Sequence, residues 1–458
     1  MAAVRRDVAA RPPAASLADH VRRTLALAGP VIVARCGILI MVSVDTIMTG
    51  HAGALELAWL AIAFSPHIAM LVTGIGLLTG TVILVSQADG AGRRWACGRV
   101  LWIGMANGVA LGLVWAVVMS HGEDVLLLLG QSEELAAGGG EVLAMFAWGM
   151  PGIYLFTAVS MFLEGIGRTR PGMVVMIFAN LVNFALNWVL IYGNLGFEPM
   201  GAAGAVLATS ITRWLMFAAL FAYLVWMDDR DAYGLLAPIE QPWRLQARFI
   251  RLGVPMALSY SFETTAFMTI TMMAGLMGSA HVAAYQAVMN VVALCFMVAI
   301  GMATASAVRV GNAVGRRDMP GMRAAGWVGA GLIAVIMAVL ALVLAAFREP
   351  IMAIYTDDPG VLAVAVPTLA IAALFLVGDG LQGVLVGVLR GAADVWATMW
   401  IGAFSFWVVM IPAAWLIGRH LGGGVPGLMW GEMTGILLAT VLLAWRFRAV
   451  SRRDIRPV

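Results

Sequence analysis

Three acidic side chains stand inside long apolar stretches of the chain: Asp45, Glu263 and Asp379. A carboxylate at the centre of a lipid bilayer costs about 3 kcal/mol even on permissive scales, so an acid in such a position commonly faces a cavity and binds a partner there. Burial disfavours the charged form of a carboxylate, and a proton, Na⁺ or an organic cation would each relieve it. The sequence therefore predicts reversible cation binding at these positions.

Glu263 and Asp379 are predicted to lie at the same depth in the membrane. Glu263 follows Arg251 by 12 residues, and Asp379 precedes Arg390 by 11 residues on a segment that runs in the opposite direction. At about 1.5 Å per helical residue, both carboxylates stand about 16–18 Å from the basic ends of their helices. Two acids at one depth could share a cation such as Na⁺. Alternatively, a neighbouring hydroxyl or amide could satisfy each acid separately.

Asp45 lies near the end of the first apolar segment, where it could bind a cation or simply reach headgroup water. Asn180, Asn183 and Asn187 recur at intervals of three and four residues, so they share one face of another predicted helix. Asn187 approaches the depth of Asp45. With Asn183 it could complete a proton network or a Na⁺ site, since hard cations prefer oxygen ligands. Asn180 would line the cavity, and helix-to-helix hydrogen bonding is the alternative for all three amides.

Other polar side chains could line a cavity between helices or bond across it. Gln286 and Asn290 lie one turn apart on one helical face, with Tyr285 beside them. Tyr260 and Thr264 surround the second of the three acids. Cavity lining and helix-to-helix bonding remain open alternatives for these residues.

The composition is that of a membrane protein. Of 458 residues, 62% are hydrophobic and only 12% are charged, whereas an ordinary soluble domain is about 25% charged. Twelve apolar segments reach the roughly 20 residues that a membrane-spanning helix needs. They are residues 24–49, 55–84, 97–119, 139–165, 171–193, 201–227, 247–275, 280–309, 325–347, 361–389, 395–418 and 426–446.

The second half of the chain repeats the first. Ten residue types recur 225 positions later without a gap, from Pro30 and Pro255 to Gly90 and Gly315. Each half holds six predicted spans, so the halves are parallel repeats with the substrate between them. The predicted fold is an all-α integral membrane protein with 12 transmembrane helices in two six-helix lobes, related by a pseudo-two-fold axis along the membrane normal. The two prolines are predicted kinks or moving hinges.

Arginine sets the predicted orientation. All 28 basic residues are Arg, and placing both termini in the cytoplasm puts nearly all of them on the inner side. The predicted organisation is a cytoplasmic tail (1–22), a first lobe (23–227), a cytoplasmic linker (228–246), a second lobe (247–447) and a second tail (448–458). The expected location is the bacterial inner membrane. Because the net charge of +3 follows from this topology, no nucleic-acid partner is indicated.

Motifs for an enzyme or a nucleotide-driven pump are not found in the sequence. It has no Walker motif, nucleophile elbow or dinucleotide fingerprint. Its six His and three Cys lack the spacing of a metal site or a disulfide framework. We therefore expect no resident cofactor and no catalytic residues.

Several short stretches resemble the multidrug and toxic compound extrusion (MATE) transporters, and the resemblance covers nearly the whole chain. These stretches are residues 44–50, 86–93, 162–171, 308–315 and 389–391. Glu263 and residues 377–382 resemble the NorM-like branch, whose second lobe uses this Glu and Asp for cation coupling. Asp45 matches the acid of the first lobe, and Asn183 and Asn187 match its partners.

The resemblance implies a monomeric antiporter in contact with membrane lipids, driven by H⁺ or Na⁺, that exports organic and often cationic drugs by alternating access. The ion would be transported cargo. Some departures from the family pattern bear on this expectation. Phe375 stands where some relatives have Tyr, which removes a possible Na⁺ ligand, and Tyr285 replaces a commoner His. Asp357 and Asp358 in an outer loop could attract cationic substrate, or could serve for helix capping and solvation.

Three rival functions remain. A lipid-linked oligosaccharide flippase would share the architecture, but would need basic residues in the cavity for pyrophosphate. Only Arg35 and Arg213 could serve, against three acids. A major facilitator also has twelve spans in parallel halves, but its loop signature is only faintly echoed at residues 89–94. A membrane enzyme would need a nucleophile or metal cluster that the sequence does not display.

Overall fold

The computed structural model describes residues 16–235 and 242–453, together with residues 455 and 457. Twelve long helices account for most of these residues, and no strand occurs among them. The helices are α1 (Leu17–Ala52), α2 (Ala54–Gly90), α3 (Cys97–Ser120), α4 (Glu133–Gly165), α5 (Arg170–Leu190), α6 (Gly201–Val225), α7 (Pro242–Gly275), α8 (Ser279–Gly315), α9 (Met319–Ala346), α10 (Pro359–Gly391), α11 (Val395–His420) and α12 (Gly424–Val450).

In the described ranges, eleven of these helices are long and apolar enough to cross a membrane. The exception is α7, which has 34 residues but carries Arg244, Arg248 and Arg251 in its first turns and Glu263 in its middle. Its length suffices, since about 20 residues span the hydrocarbon core. After Arg251, residues 252–275 contain one charged residue, Glu263, and seven Ser, Thr or Tyr residues, so these polar side chains together set α7 apart from the other helices.

Two helices begin within the segments that the sequence predicted to be a cytoplasmic tail and a linker. Helix α1 begins at Leu17 because Ser16 and Asp19 form a reciprocal capping box, so residues 17–22 are helical although the sequence predicted a tail there. Helix α7 begins at Pro242, so the last part of the predicted linker, 242–246, is also helical. Of the predicted linker, residues 228–235 form turns, and residues 236–241 lie outside the described residues, as do residues 1–15 of the predicted tail. Pro30 and Pro255 stand inside helices that continue through them.

Each half of the chain forms its own hydrophobic core. Helices α1–α6 supply most of one cluster of buried side chains, and α7–α12 supply most of the other. Across the boundary, α1 packs on α8 and α2 packs on α7. Because α7 and α8 are the repeats of α1 and α2, these two contacts are counterparts. The predicted two-lobe architecture is confirmed.

Backbone contacts join the two lobes on the arginine-rich side, which carries Arg93, Arg168, Arg316 and Arg390 at or beside helix ends. There, Gly90 on α2 lies against the backbone of Asn312 on α8. The same contact occurs again by symmetry, since Gly315 lies against the carbonyl of Gln87, and Asn312 is the residue 225 positions after Gln87. A side chain at either glycine would overlap backbone atoms that cannot rotate away.

A second pair of contacts lies further along the same helices. Gly76 on α2 packs against the backbone of Ala257 on α7, and Gly301 on α8 packs against Ile32 on α1. These contacts are also counterparts under the offset of 225 residues. Between the lobes, the hydroxyls of Thr73 and Ser261 are 2.9 Å apart. Four of the glycines that recur in the repeat, Gly76, Gly90, Gly301 and Gly315, therefore let the two lobes pack closely together.

Candidate functional site

Asp45 is the centre of a hydrogen-bonded cluster in the first lobe. Asn187 donates from Nδ2 to Oδ1 of Asp45 at 2.6 Å, and Thr209 donates from its hydroxyl to Oδ2 at 2.6 Å. Asn183 supports both donors, since its Oδ1 accepts from Asn187 at 3.2 Å and its Nδ2 donates to Thr209 at 3.1 Å. Both carboxylate oxygens thus face donors, an arrangement that favours the ionised form of Asp45.

The predicted grouping of Asp45 with Asn183 and Asn187 is observed in this geometry. Thr209 on α6 was missed by the sequence reasoning, because threonine is common in spans and nothing in its spacing marked it. Asn180 does not join the cluster. Its Nδ2 donates to the carbonyl of Met176 in its own helix at 2.9 Å, and its Oδ1 is buried without a partner in the described chain.

Arg213 lies one turn after Thr209 on α6 and is 7% exposed. Its Nη2 donates to Nε2 of His67 at 2.9 Å, and its guanidinium stands over the ring of Phe146, which stacks on His67. Asp45 interacts with Arg213 electrostatically but forms no hydrogen bond to it within the described chain. The first lobe thus holds a half-buried acid and a buried base that interact electrostatically without a hydrogen bond between them in the described chain.

Glu263 and Asp379 belong to the second lobe and interact there without a direct hydrogen bond in the described chain. Glu263 on α7 is half-buried, Asp379 on α10 is 7% exposed, and the two interact electrostatically. Within the residues that the structure describes, neither carboxylate accepts a hydrogen bond or forms an ion pair. The two acids are therefore within electrostatic range of each other, and in the described chain neither has the separate hydroxyl or amide partner that was the alternative.

A third acid, Glu432 on α12, belongs to the same lobe and was missed. It is fully buried, and Tyr285 on α8 donates its hydroxyl to Oε1 at 2.7 Å. Its Oε2 has no hydrogen-bond partner among the described residues. Asp379 also interacts electrostatically with Glu432. The sequence could have identified Glu432, because it stands in an apolar span as the other three acids do.

Most of the predicted cavity-lining residues have other partners. Tyr285 is buried and bonds across helices to Glu432, so its assignment as a lining residue is corrected. Tyr260 accepts from Nη1 of Arg390 at 2.9 Å, and Asn290 accepts from the hydroxyl of Tyr355 at 2.9 Å.

The outer-loop acids and the remaining lining candidates are more open. Asp358 caps α10 by accepting from the backbone of Gly360 at 2.7 Å, which is the capping alternative. Gln286 and Asp357 are exposed, and Thr264 is half-buried. These three keep the exposure that a lining or steering role would need.

A comparison with known protein families matches the MatE family profile twice, at residues 30–189 and 255–416. The chain belongs to the MatE family. The two matches begin at Pro30 and Pro255, 225 residues apart (255 − 30), so each repeat holds one copy of the family unit. The duplication predicted from ten matching positions is therefore confirmed.

Curated bacterial relatives are similar over nearly their whole length. The chain is 34% identical over 447 residues to a probable multidrug resistance protein NorM of Caulobacter vibrioides, covering 97% of this chain and 94% of that protein. It is 30% identical over 449 residues to the multidrug resistance protein NorM of Aliivibrio fischeri, covering 95% and 96%. The predicted resemblance to the NorM-like branch is confirmed.

Solved structures share the fold. The eukaryotic MATE transporter AtDTX14 has a TM-score of 0.87 at 19% identity, covering 95% of this chain and 98% of that one. An outward-facing multidrug resistance MATE transporter also has a TM-score of 0.87, at 18% identity, covering 96% and 98%. The all-α, two-lobe arrangement of MATE transporters is therefore the fold of this multi-pass membrane protein.

Proposed function

We propose that this protein is a multidrug efflux transporter that exchanges organic cations for a coupling ion, H⁺ or Na⁺, by alternating access. The observation that carries the proposal is the pair Glu263 and Asp379. These two carboxylates interact electrostatically in the interior of the second lobe, and neither has a hydrogen-bond or ion-pair partner in the described chain. Its bacterial relatives are named multidrug resistance proteins, which supports drugs as the exported class.

The excess of acidic side chains inside the second lobe supports cation exchange. The described second lobe buries or half-buries Glu263, Asp379 and Glu432 among its helices, and none of the three forms an ion pair. Two like charges within a low-dielectric interior cannot both stay ionised cheaply, so a cation or a proton must accompany them. A site that holds either the coupling ion or an organic cation, but not both, exchanges one for the other.

Asp45 is a second exchange position in the first lobe. Its donors, Asn187 and Thr209, stabilise the charged carboxylate, and an arriving proton or Na⁺ would compete with those donors for the same oxygens. The nearby Arg213 offsets part of the charge. We therefore expect Asp45 to bind its cation more weakly than the second-lobe pair does.

The state represented here is closed on the arginine-rich side. We propose from the positive-inside rule that this side faces the cytoplasm, with both termini there and the protein in the bacterial inner membrane. We propose that the lobes rock about Pro30 and Pro255 to open that side, with the glycine contacts at Gly90 and Gly315 separating. A monomer suffices for this cycle, because both lobes belong to one chain.

The flippase alternative loses support at its two candidate basic residues. Arg35 pairs with Glu164 at 3.5 Å, and Arg213 bonds to His67. Both guanidinium groups are engaged inside the first lobe, so neither is free to hold a pyrophosphate between the lobes. An enzymatic function has no comparable support, and the family relationship favours transport.

Ethidium efflux from reconstituted vesicles tests the proposal, with a sodium gradient and a pH gradient imposed separately. We expect at least one gradient to drive efflux in the wild type, and the double variant Glu263→Gln, Asp379→Asn to lose that drive while still inserting. Glu141→Gln, which changes an exposed acid on α4, is the matched control. Wild-type efflux by the double variant would disprove the assignment of the pair.

A further inference from the structure

Glu432 has the most enclosed carboxyl group of the second lobe. It is 0% exposed and lies in the described core that α8, α10 and α12 form together. Oε1 is engaged by the hydroxyl of Tyr285 at 2.7 Å, whereas Oε2 has no partner in the described ranges. An ionised carboxylate with a bare oxygen is among the least favourable groups to bury, and a protonated one is far less so.

The groups that face Glu432 are acidic or neutral. Helix α10 brings Asp379 within electrostatic range, α8 brings Tyr285, and α7 carries Glu263 next to Asp379. On α11, which also packs on α12, the hydroxyl of Ser405 is buried and has no partner in the described ranges. None of these described groups is a base that could balance a charge on Glu432.

The geometry favours a proton over a metal ion at Oε2. Sodium needs several oxygen ligands, as Ca²⁺ and Mg²⁺ do. No described group of three His, Cys, Asp or Glu residues is close enough to hold one ion. Phe375, which is fully buried, also supplies no hydroxyl. A proton needs only one oxygen, and Oε2 offers one.

The exposed fraction of the side chain decreases in the order Glu263, Asp379, Glu432. Glu263 is half-buried, Asp379 is 7% exposed and Glu432 is 0% exposed. A proton that reaches Asp379 from water therefore has one further carboxyl ahead of it. On transfer, the O–H bond breaks at Asp379 and forms at Oε2 of Glu432, so the negative charge moves to Asp379, and no electron is exchanged.

We propose that Glu432 is a proton-accepting carboxyl at the inner end of the path Glu263, Asp379, Glu432, and that Tyr285 positions it. The proposal rests on the proposed function and assigns H⁺ as the coupling ion at this inner position. A drug bound near Glu263 and Asp379 would then compete with a proton at Asp379. That proton can transfer to Glu432 when the drug binds.

Infrared difference spectroscopy of the purified full-length protein tests the proposal. The C=O stretching band of a protonated buried acid should be present at low pH in the wild type and absent in Glu432→Gln. In Tyr285→Phe the band should shift to higher frequency, because the hydrogen bond to Oε1 is lost. Thr434→Val is the matched control on α12, since that exposed hydroxyl bonds within its own helix, and it should keep the wild-type band.

Transport supplies an independent readout. We expect Glu432→Gln to lose efflux driven by a pH gradient and to keep any efflux driven by sodium. If Glu432→Gln fails to fold, Glu432→Asp and Tyr285→Phe test the proposal instead, because each should shift the C=O stretching band of the protonated acid. A wild-type spectrum in Glu432→Gln, or displacement of the band by sodium at fixed pH, would overturn the proposal. Wild-type protein without any gradient-driven efflux would overturn the proposed function instead, while the band would still decide the protonation of Glu432.

Discussion

The paired glycine contacts predict that adding a single methyl group opens the arginine-rich side of the protein. In Gly90→Ala the new Cβ would stand 2.6 Å from Cα of Asn312, against an ordinary contact of at least 3.4 Å. The obstacle is helix backbone, which cannot swing aside. The two helices must therefore separate by about 0.8 Å (3.4 − 2.6), or the lobes must part.

Overpacking of this kind costs about 1–3 kcal/mol. Since the strain exists only when the lobes touch, it destabilises the closed state and leaves the open state unchanged. An energy of this size shifts an equilibrium between two states by about 5- to 150-fold. Gly315→Ala should have the same effect, because a Cβ at that position meets the backbone nitrogen of Ala91 at 2.7 Å.

The assay is cysteine labelling from the arginine-rich side in inside-out vesicles. Ser86, which is 1% exposed and lies against Gly311 across the lobe boundary, becomes the reporter as Ser86→Cys in a background without the native cysteines. An impermeant maleimide should label this cysteine about 5- to 150-fold faster when Gly90→Ala is added, if labelling follows the open population.

Gly331→Ala is the matched control. It adds the same methyl group to a helical glycine that has open space around it, so it should leave the labelling rate unchanged. Equal labelling rates in Gly90→Ala and in this control, with both proteins folded, would show that the α2 and α8 contact does not hold this side closed.

Two further predictions concern the first-lobe cluster. Thr209→Val removes one of the donors to Asp45, and a hydrogen bond to a charged group contributes about 1.5–3 kcal/mol, so gradient-driven ethidium efflux should fall about tenfold or more. Thr212→Val, a buried hydroxyl on the same helix that bonds to Ala208, should leave efflux unchanged, and equal rates in the two variants would argue against the cluster. Asp45→Asn should lose or uncouple efflux while the protein inserts normally, and unchanged drug resistance in cells would count against a role for Asp45.

The sequence predicted the depth of side chains better than their direction. Counting residues from Arg251 and Arg390 placed Glu263 and Asp379 at one level because helical rise is constant. The same counting found Asn187 near Asp45. Depth also explains why Asn180 stands apart: seven residues separate it from Asn187, about 10.5 Å along the axis, although both share a face.

The direction of a side chain depends on how each helix is rotated against its neighbours, and periodicity alone does not fix that rotation. Tyr285 and Gln286 are adjacent in sequence but point about 100° apart on the helix. One is buried against Glu432 and the other is exposed. Thr209 was unpredictable for the same reason, since it reaches Asp45 only because α6 turns its hydroxyl toward that carboxylate.

The partners of Asp45 and of Asp379 differ, and this difference predicts the order in which the two lobes bind a cation. In the first lobe, Asp45 already has two close donors and Arg213 nearby, so its negative charge is tolerated when no cation is present. In the second lobe, Asp379 has acids nearby and no donor in the described chain. A cation therefore gains more by entering the second lobe than the first. The second lobe should therefore load its cation first, and Asp45, whose donors must be displaced, should load its cation second.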